Sequence, residues 1–177
     1  GEVCGVRDGT HESPKYVKQG YPLITSKNLN ANGKIDFDNI SFISKIDYTN
    51  INKRSKVDVG DIIFGMIGTI GNPVLLREDG FAIKNVALIK EKKELLNTYL
   101  IHYLKSNHIQ KQFHIENSGG TQKFVSLGVI RKLKVLTPNI IEQINCCDLK
   151  QEYIDEYMKQ INKNKIKTKE EVEGLIN

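Results

Sequence analysis

Glycine, asparagine and proline break the first 137 residues into short runs, and then the punctuation stops. Of the 14 glycines only Gly174 lies beyond Pro138, which is also the last proline. A chain cut so often by turn-forming residues can build only short strands and modest helices. The stretch after Pro138, rich in Glu, Lys, Gln and Ile, is free to form one long helix. The boundaries that follow are a globular part over 1–137, a helix over 138–166, and a short capped segment over 167–177.

The apolar runs in the first part are strand-sized. Tyr21-Pro22-Leu23-Ile24-Thr25 reads as a strand ended by Ser26-Lys27-Asn28, and Asn32-Gly33 supplies residues that tolerate positive φ. Ile62-Ile63-Phe64, Val74-Leu75-Leu76, Ala87-Leu88-Ile89 and Leu133-Lys134-Val135-Leu136 are further strand candidates, with Gly65 to Asn72 a loop. Glu94 to Glu116 carries apolar residues at three-to-four spacing and reads as a helical pair broken at Ser106-Asn107. Ser118 to Lys123 is a polar loop.

Beyond Pro138 the seam Ile140, Ile144, Cys147, Gln151, Ile154, Met158, Ile161 alternates steps of four and three. That is the edge of a coiled coil, and the expectation is a partner helix from a second copy or a companion domain. A lone amphipathic helix lying on its own domain would give a similar pattern. Thr168-Lys169-Glu170-Glu171 matches a capping box and would open a separate short helix.

Composition narrows the class. Hydrophobic residues make up 39% and charged residues 27%, and the formal net charge is +5, as for a moderately basic globular chain. No run approaches the roughly 18 apolar residues that would cross a bilayer. No basic segment followed by an apolar one marks a secretory signal, and the chain opens at Gly1 rather than Met, which leaves room for a preceding piece. Three cysteines, two of them adjacent (Cys146-Cys147), do not make a secreted disulfide framework, so a reducing cytoplasmic setting is expected.

No catalytic constellation is visible. There is no Gly-x-Ser-x-Gly, no Gly-Lys-Ser/Thr and no Gly-x-Gly-x-x-Gly; Gly65, Gly68 and Gly71 have the wrong spacing for a dinucleotide fingerprint. The histidines His11, His102, His108 and His114 form no His-x-x-x-His pair, and Cys146-Cys147 lacks the gap needed to hold one zinc, so neither metal nor cofactor is expected. Asp79 followed by Glu91-Lys92-Lys93 mimics a nuclease core. The Glu91–Glu94 run leads into a helix, however, where its carboxylates would stand exposed and unsupported.

Four loops combine small polar and basic residues: Asp8 to Lys18, Ser26 to Asn32, Gly65 to Asn72 and Ser118 to Lys123. Asn and Gln can bond adenine edges, Lys and Arg guanine edges, and hydroxyls hold phosphates. Plain turns favour the same residues, so composition alone leaves both readings open.

The order of several motifs resembles the target recognition domain found in specificity subunits of type I restriction–modification systems and in related type II enzymes. They are Asp8-Gly9-Thr10-His11, Pro14-x-Tyr16, Gly20-Tyr21-Pro22-Leu23-Ile24-x-Ser26-x-Asn28-Leu29 and Gly33-Lys34-Ile35-Asp36-Phe37. Further on come Ile43-Ser44, Val59-Gly60-Asp61-Ile62-Ile63-Phe64, Gly68-x-x-Gly71 and Tyr99-Leu100-x-x-Tyr103-Leu104. Gly119-Gly120-Thr121-Gln122-Lys123 and Leu136-x-Pro138-x-x-x-Glu142-Gln143 close the series. The resemblance covers residues 1–163; Lys167 to Asn177 departs from it, and there is room for one such domain where family subunits carry two.

The resemblance implies an α+β domain with short, mostly antiparallel strands and a helical pair, followed by a long spacer helix of coiled-coil type. It implies recognition of double-stranded DNA without catalysis, beside methyltransferase (modification) subunits and a motor–nuclease (restriction) subunit. DNA-facing residues are then expected at Thr10, His11, Lys15, Tyr16, Lys27, Asn28, Thr69, Asn72, Thr121, Gln122 and Lys123. Gly9, Gly68, Gly71, Gly119 and Gly120 would shape the backbone. From Asn139 to Lys165 a helix would run about 40 Å, slightly more than one turn of B-DNA, as a ruler between half-sites would. Two other classes stay open: the recognition end of a fused methyltransferase–nuclease, and a coiled-coil assembly module that binds no DNA.

Overall fold

A computed structural model describes residues 1–147 except 69, 93–94 and 117–123. Two four-stranded sheets form its centre. The first has the order β1 (Gly5–Asp8), β8 (Val86–Lys90), β5 (Ile62–Gly65), β6 (Gly71–Leu75), all antiparallel. The second has the order β2 (Tyr16–Val17), β4 (Ser41–Ile43), β3 (Tyr21–Thr25), β7 (Ala82–Lys84), in which only β3 and β7 run parallel.

The first sheet is covered on both faces, and the pleat shows it residue by residue. Ile62, Phe64, Ala87 and Ile89 point into a core shared with α2 (Asn97–Lys105), α3 (Asn107–Glu116) and α4 (Leu127–Lys132). Ile63, Val86 and Leu88 point the other way, where they meet Ile24 and Ile83 of the second sheet. A strand buried on both sides carries no alternation, and so Val86-Ala87-Leu88-Ile89 is an unbroken apolar run. On the far face of the second sheet Leu23, Ile43 and Ala82 pack against Tyr48 and Ile51 of α1 (Lys45–Ser55). The Tyr48 ring stacks on Tyr21 at a centroid distance of 4.0 Å.

β7 and β8 are one length of chain that changes sheets at Asn85, whose φ of 57° turns it sharply. The helical pair expected over 94–116 is present, with its break at Ser106; it begins at Asn97, after a bridge between Lys92 and Leu95. The polar helix α1 was not foreseen. Ser44 caps it by accepting from the Asp47 N–H at 3.1 Å, and only two of its apolar side chains, Tyr48 and Ile51, pack on the core.

Two expectations are corrected. Among the described residues, Leu133 to Leu136 pairs with no strand. Its carbonyls at Lys134 and Leu136 accept hydrogen bonds from the hydroxyls of Tyr103 (2.9 Å) and Tyr99 (3.2 Å), so side chains of α2 take the place of a neighbouring strand. Gly65 to Asn72 is not wholly a loop, since Gly71 and Asn72 open β6.

After Pro138, α5 (Ile140–Asn145) starts with the capping box of Asn139 and Glu142. Gln143 is fully buried. Its Oε1 accepts from the Leu96 N–H at 2.9 Å and its Nε2 donates to the Pro138 carbonyl at 2.8 Å, which fastens the start of α5 to the start of α2. Of the expected seam, Ile140 is half-buried, Ile144 is buried within this chain and Cys147 is half-buried; Ile154, Met158 and Ile161 lie outside the described residues.

Candidate nucleic-acid interface

At the corner where the chain changes sheets the surface opens into a groove of about 320 Å³. Tyr16, Lys27, Asn28, Ile67, Lys84 and Asn85 are among the residues on its walls, so β2, the turn after β3, and the β7–β8 corner all contribute. The corner is built from hydrogen bonds. The Asn85 N–H donates to the Thr10 carbonyl (3.1 Å) and the Asn85 carbonyl accepts from the Ser26 hydroxyl (3.0 Å). Gly9 makes the crossing possible, because a Cβ there would lie 2.3 Å from the Ile83 carbonyl oxygen. Tyr16 leaves half of its surface, 52%, open to solvent. Lys84 stretches to the Ser13 hydroxyl at 3.3 Å, and Lys27 is exposed. An aromatic face, two ammonium groups and amide dipoles on one concave surface can stack on a base or bond to phosphates and base edges.

The expected DNA-facing residues separate into groups. Tyr16 and Lys27 stand on the groove walls with free reach. Asn28 lines the same groove, but its amide is spent inside the loop. The oxygen accepts from the Thr25 N–H (2.9 Å) and hydroxyl (2.8 Å), and the nitrogen donates to the carbonyls of Asn39 (3.1 Å) and Asp36 (3.3 Å). At 5% exposure it is the staple of the loop, and its amide keeps no free donor or acceptor for a base edge.

Thr10 and His11 line an adjacent cavity of about 390 Å³ together with Ser13 and Arg54. His11 is held at both ring nitrogens, with Nε2 2.8 Å from Asp8 Oδ2 and Nδ1 2.9 Å from Asn85 Oδ1. Lys15 is exposed, and its N–H donates to Asp47 at 3.0 Å. Asn72, in a left-handed conformation at φ 45°, sits in neither cavity and donates to the Leu29 carbonyl at 2.9 Å. Thr69, Thr121, Gln122 and Lys123 lie outside the described residues. The described end of the loop that carries the last three is Phe124, which bridges to Ile67 on the groove wall.

The sequence reading missed Lys84, Asn85 and Arg54. Lys84-Asn85 is a polar dipeptide inside the otherwise apolar Phe81–Ile89, and that interruption is the signal that could have found the corner. The nuclease decoy also needs correction. Glu91 is exposed as a residue, yet its carboxylate is not unsupported. It accepts from the Asn97 N–H at 2.8 Å, capping α2, and burial of the carboxyl group raises its pKa.

A family model described as the type I restriction modification DNA specificity domain matches residues 1–174. The chain belongs to that family. Solved structures share the fold. The chain is 18% identical, with a TM-score of 0.60, to a chain from a study of complex assembly and conformational transition of the type I restriction–modification system. It covers 96% of itself and 39% of that chain. Against the HsdS subunit from Thermoanaerobacter tengcongensis the values are 15% and 0.57, covering 91% of this chain and 36% of the other. Against the type I S subunit from M. genitalium they are 16% and 0.56, covering 93% and 41%. The specificity domain described here thus spans about two fifths of the length of the solved chains it matches. No curated protein matches it.

Proposed function

We propose that this specificity domain reads a sequence in double-stranded DNA for a type I restriction–modification complex. It does no chemistry itself, and directs methyltransferase subunits, and through them a motor–nuclease subunit, to the target. The observation that carries the reading is the family match over residues 1–174, joined to an open groove at the sheet corner that gathers Tyr16, Lys27, Lys84 and Asn85. Thr121, Gln122 and Lys123, which precede Phe124 in the sequence, are proposed to contact the DNA as well.

The two solved S-subunit chains it matches are covered to 36% and 41%, and in this reading a second recognition domain would complete the working assembly. It would come from another copy or a companion domain, joined through a helix over 138–166. Two-fold pairing of identical copies would favour a palindromic split target. Cytoplasmic action, where chromosomal DNA lies, follows from the same reading.

Methylome sequencing of cells with and without the gene tests it. One sequence motif should lose its methylation when the gene is removed and regain it on complementation. An unchanged methylome in a strain whose methyltransferase partner is expressed would reject the proposal.

A further inference from the structure

Around the edge of the first sheet from the groove, cations gather with few anions to meet them. A cavity of about 450 Å³ is lined by Arg7, Asp8, Lys53, Arg54 and Arg131. Three elements meet there. Arg7 lies on the edge strand β1, Lys53 and Arg54 in the last turn of α1, and Arg131 in the last turn of α4.

Basic residues near a helix C-terminus are ordinary, since they complement its dipole and cap its carbonyls. That role is present here but uses little of what these side chains offer. Arg7 Nη1 donates to the Arg54 carbonyl (3.0 Å) and Arg131 Nη2 to the Val6 carbonyl (2.9 Å). Lys53 donates to the Asn50 side-chain oxygen (3.0 Å). These acceptors are neutral, and each guanidinium has five N–H donors. Among the described residues no carboxylate is paired with Arg7, Lys53 or Arg131. Asp8, the one anion of the cavity, is divided between Arg54 Nη2 at 2.7 Å and His11 Nε2 at 2.8 Å.

The cluster is also continuous with the groove. Arg54 bonds Asp8, Asp8 faces His11, and His11 faces Asn85 on the groove wall. Of the two carboxylates on the cavity between them, Asp47 is held by Lys15 and Ser44, and Glu12 stands exposed. A rigid polymer with regularly spaced anions, laid in the groove, would continue onto this surface.

We propose that Arg7, Lys53, Arg54 and Arg131 form a sequence-independent clamp for the DNA phosphate backbone, on duplex flanking the bases read in the groove. This rests on the DNA-reading function proposed above. Guanidinium forks suit phosphate oxygens, and such contacts fix register without carrying sequence information.

The test uses the full chain assembled with its methyltransferase subunits, with affinity for target and non-target duplexes measured across a range of salt. Arg7→Gln with Arg131→Gln should weaken both duplexes alike, by roughly tenfold, and lower the salt slope by about two. Arg7→Lys with Arg131→Lys should restore much of the slope. Circular dichroism checks folding. Lys53→Gln, on the exposed face of α1, should lower the slope by about one even if the arginine pair proves unstable.

Unchanged affinity and slope in all these variants, while Lys84→Ala weakens binding, would overturn the clamp and leave the groove standing. Release of the methyltransferase subunits with DNA binding intact would also overturn it, assigning the surface to a protein partner. A wild-type assembly that binds neither duplex would remove the DNA reading, and the clamp with it.

Discussion

The first sheet and the groove corner are held together by opposite means. In the sheet Ile62, Ile63, Phe64 and Leu88 are at most 1% exposed and touch apolar neighbours on both faces, so many small contacts share the load. At the corner a few polar side chains hold everything, with Asn28 stapling one wall and Asn85 turning the other. An apolar core tolerates a swap of similar volume; a hydrogen-bonded corner does not, because each lost partner strands a polar group. The second arrangement leaves polar groups at the surface, where a ligand with its own donors and acceptors can meet them.

The largest expected effect is on the sheet. Ile63→Ala, at a position with no exposed surface between the sheets, should destabilise the domain by about 2–5 kcal/mol in denaturant titration. Ile63→Val should cost far less. At the corner, Asn28→Ala leaves the Thr25 N–H and the Asp36 and Asn39 carbonyls without their partner and should cost about 1–3 kcal/mol. If Asn28 instead reads a base, stability would hardly change while preference at one position of the target relaxed.

The smallest effect is electrostatic. Lys56, and after it Lys90, hold the Asp58 carboxyl at about 2, below its ordinary 3.8. A folded-state value below the unfolded one stabilises above about pH 4, and that contribution is lost as pH falls toward 2. Asp58→Asn should flatten this part of the acid unfolding curve by less than about 1 kcal/mol, since the carboxylate is half exposed.

What could be read from the sequence divides along the same line. Tyr21–Thr25 and Val86–Ile89 were legible because burial on two faces writes apolar runs, and the pair α2–α3 because one face of each meets the core. Helix α1 was not, since Tyr48 and Ile51 are its only apolar side chains on the core and the residue it buries most deeply is polar Ser55. Leu133–Leu136 has the period of a strand, with Leu133 and Val135 on the core, but tyrosine hydroxyls rather than a neighbour take its carbonyls. The four polar loops stood out by composition and motif order. Which of their residues face outward depended on pairings 11 to 74 positions apart, such as Asn28 with Asn39 and His11 with Asn85, and no local pattern records those.

The central claim is that the corner groove reads sequence. Selection of bound duplexes from a randomised pool, using the chain assembled with its methyltransferase subunits, tests it most directly. Wild type should enrich one defined sequence. Tyr16→Ala with Lys84→Ala should flatten that enrichment while the melting temperature stays within about 2–4 °C of wild type, the shift of roughly 1 kcal/mol. The same sequence enriched to the same degree by the double variant would contradict the account.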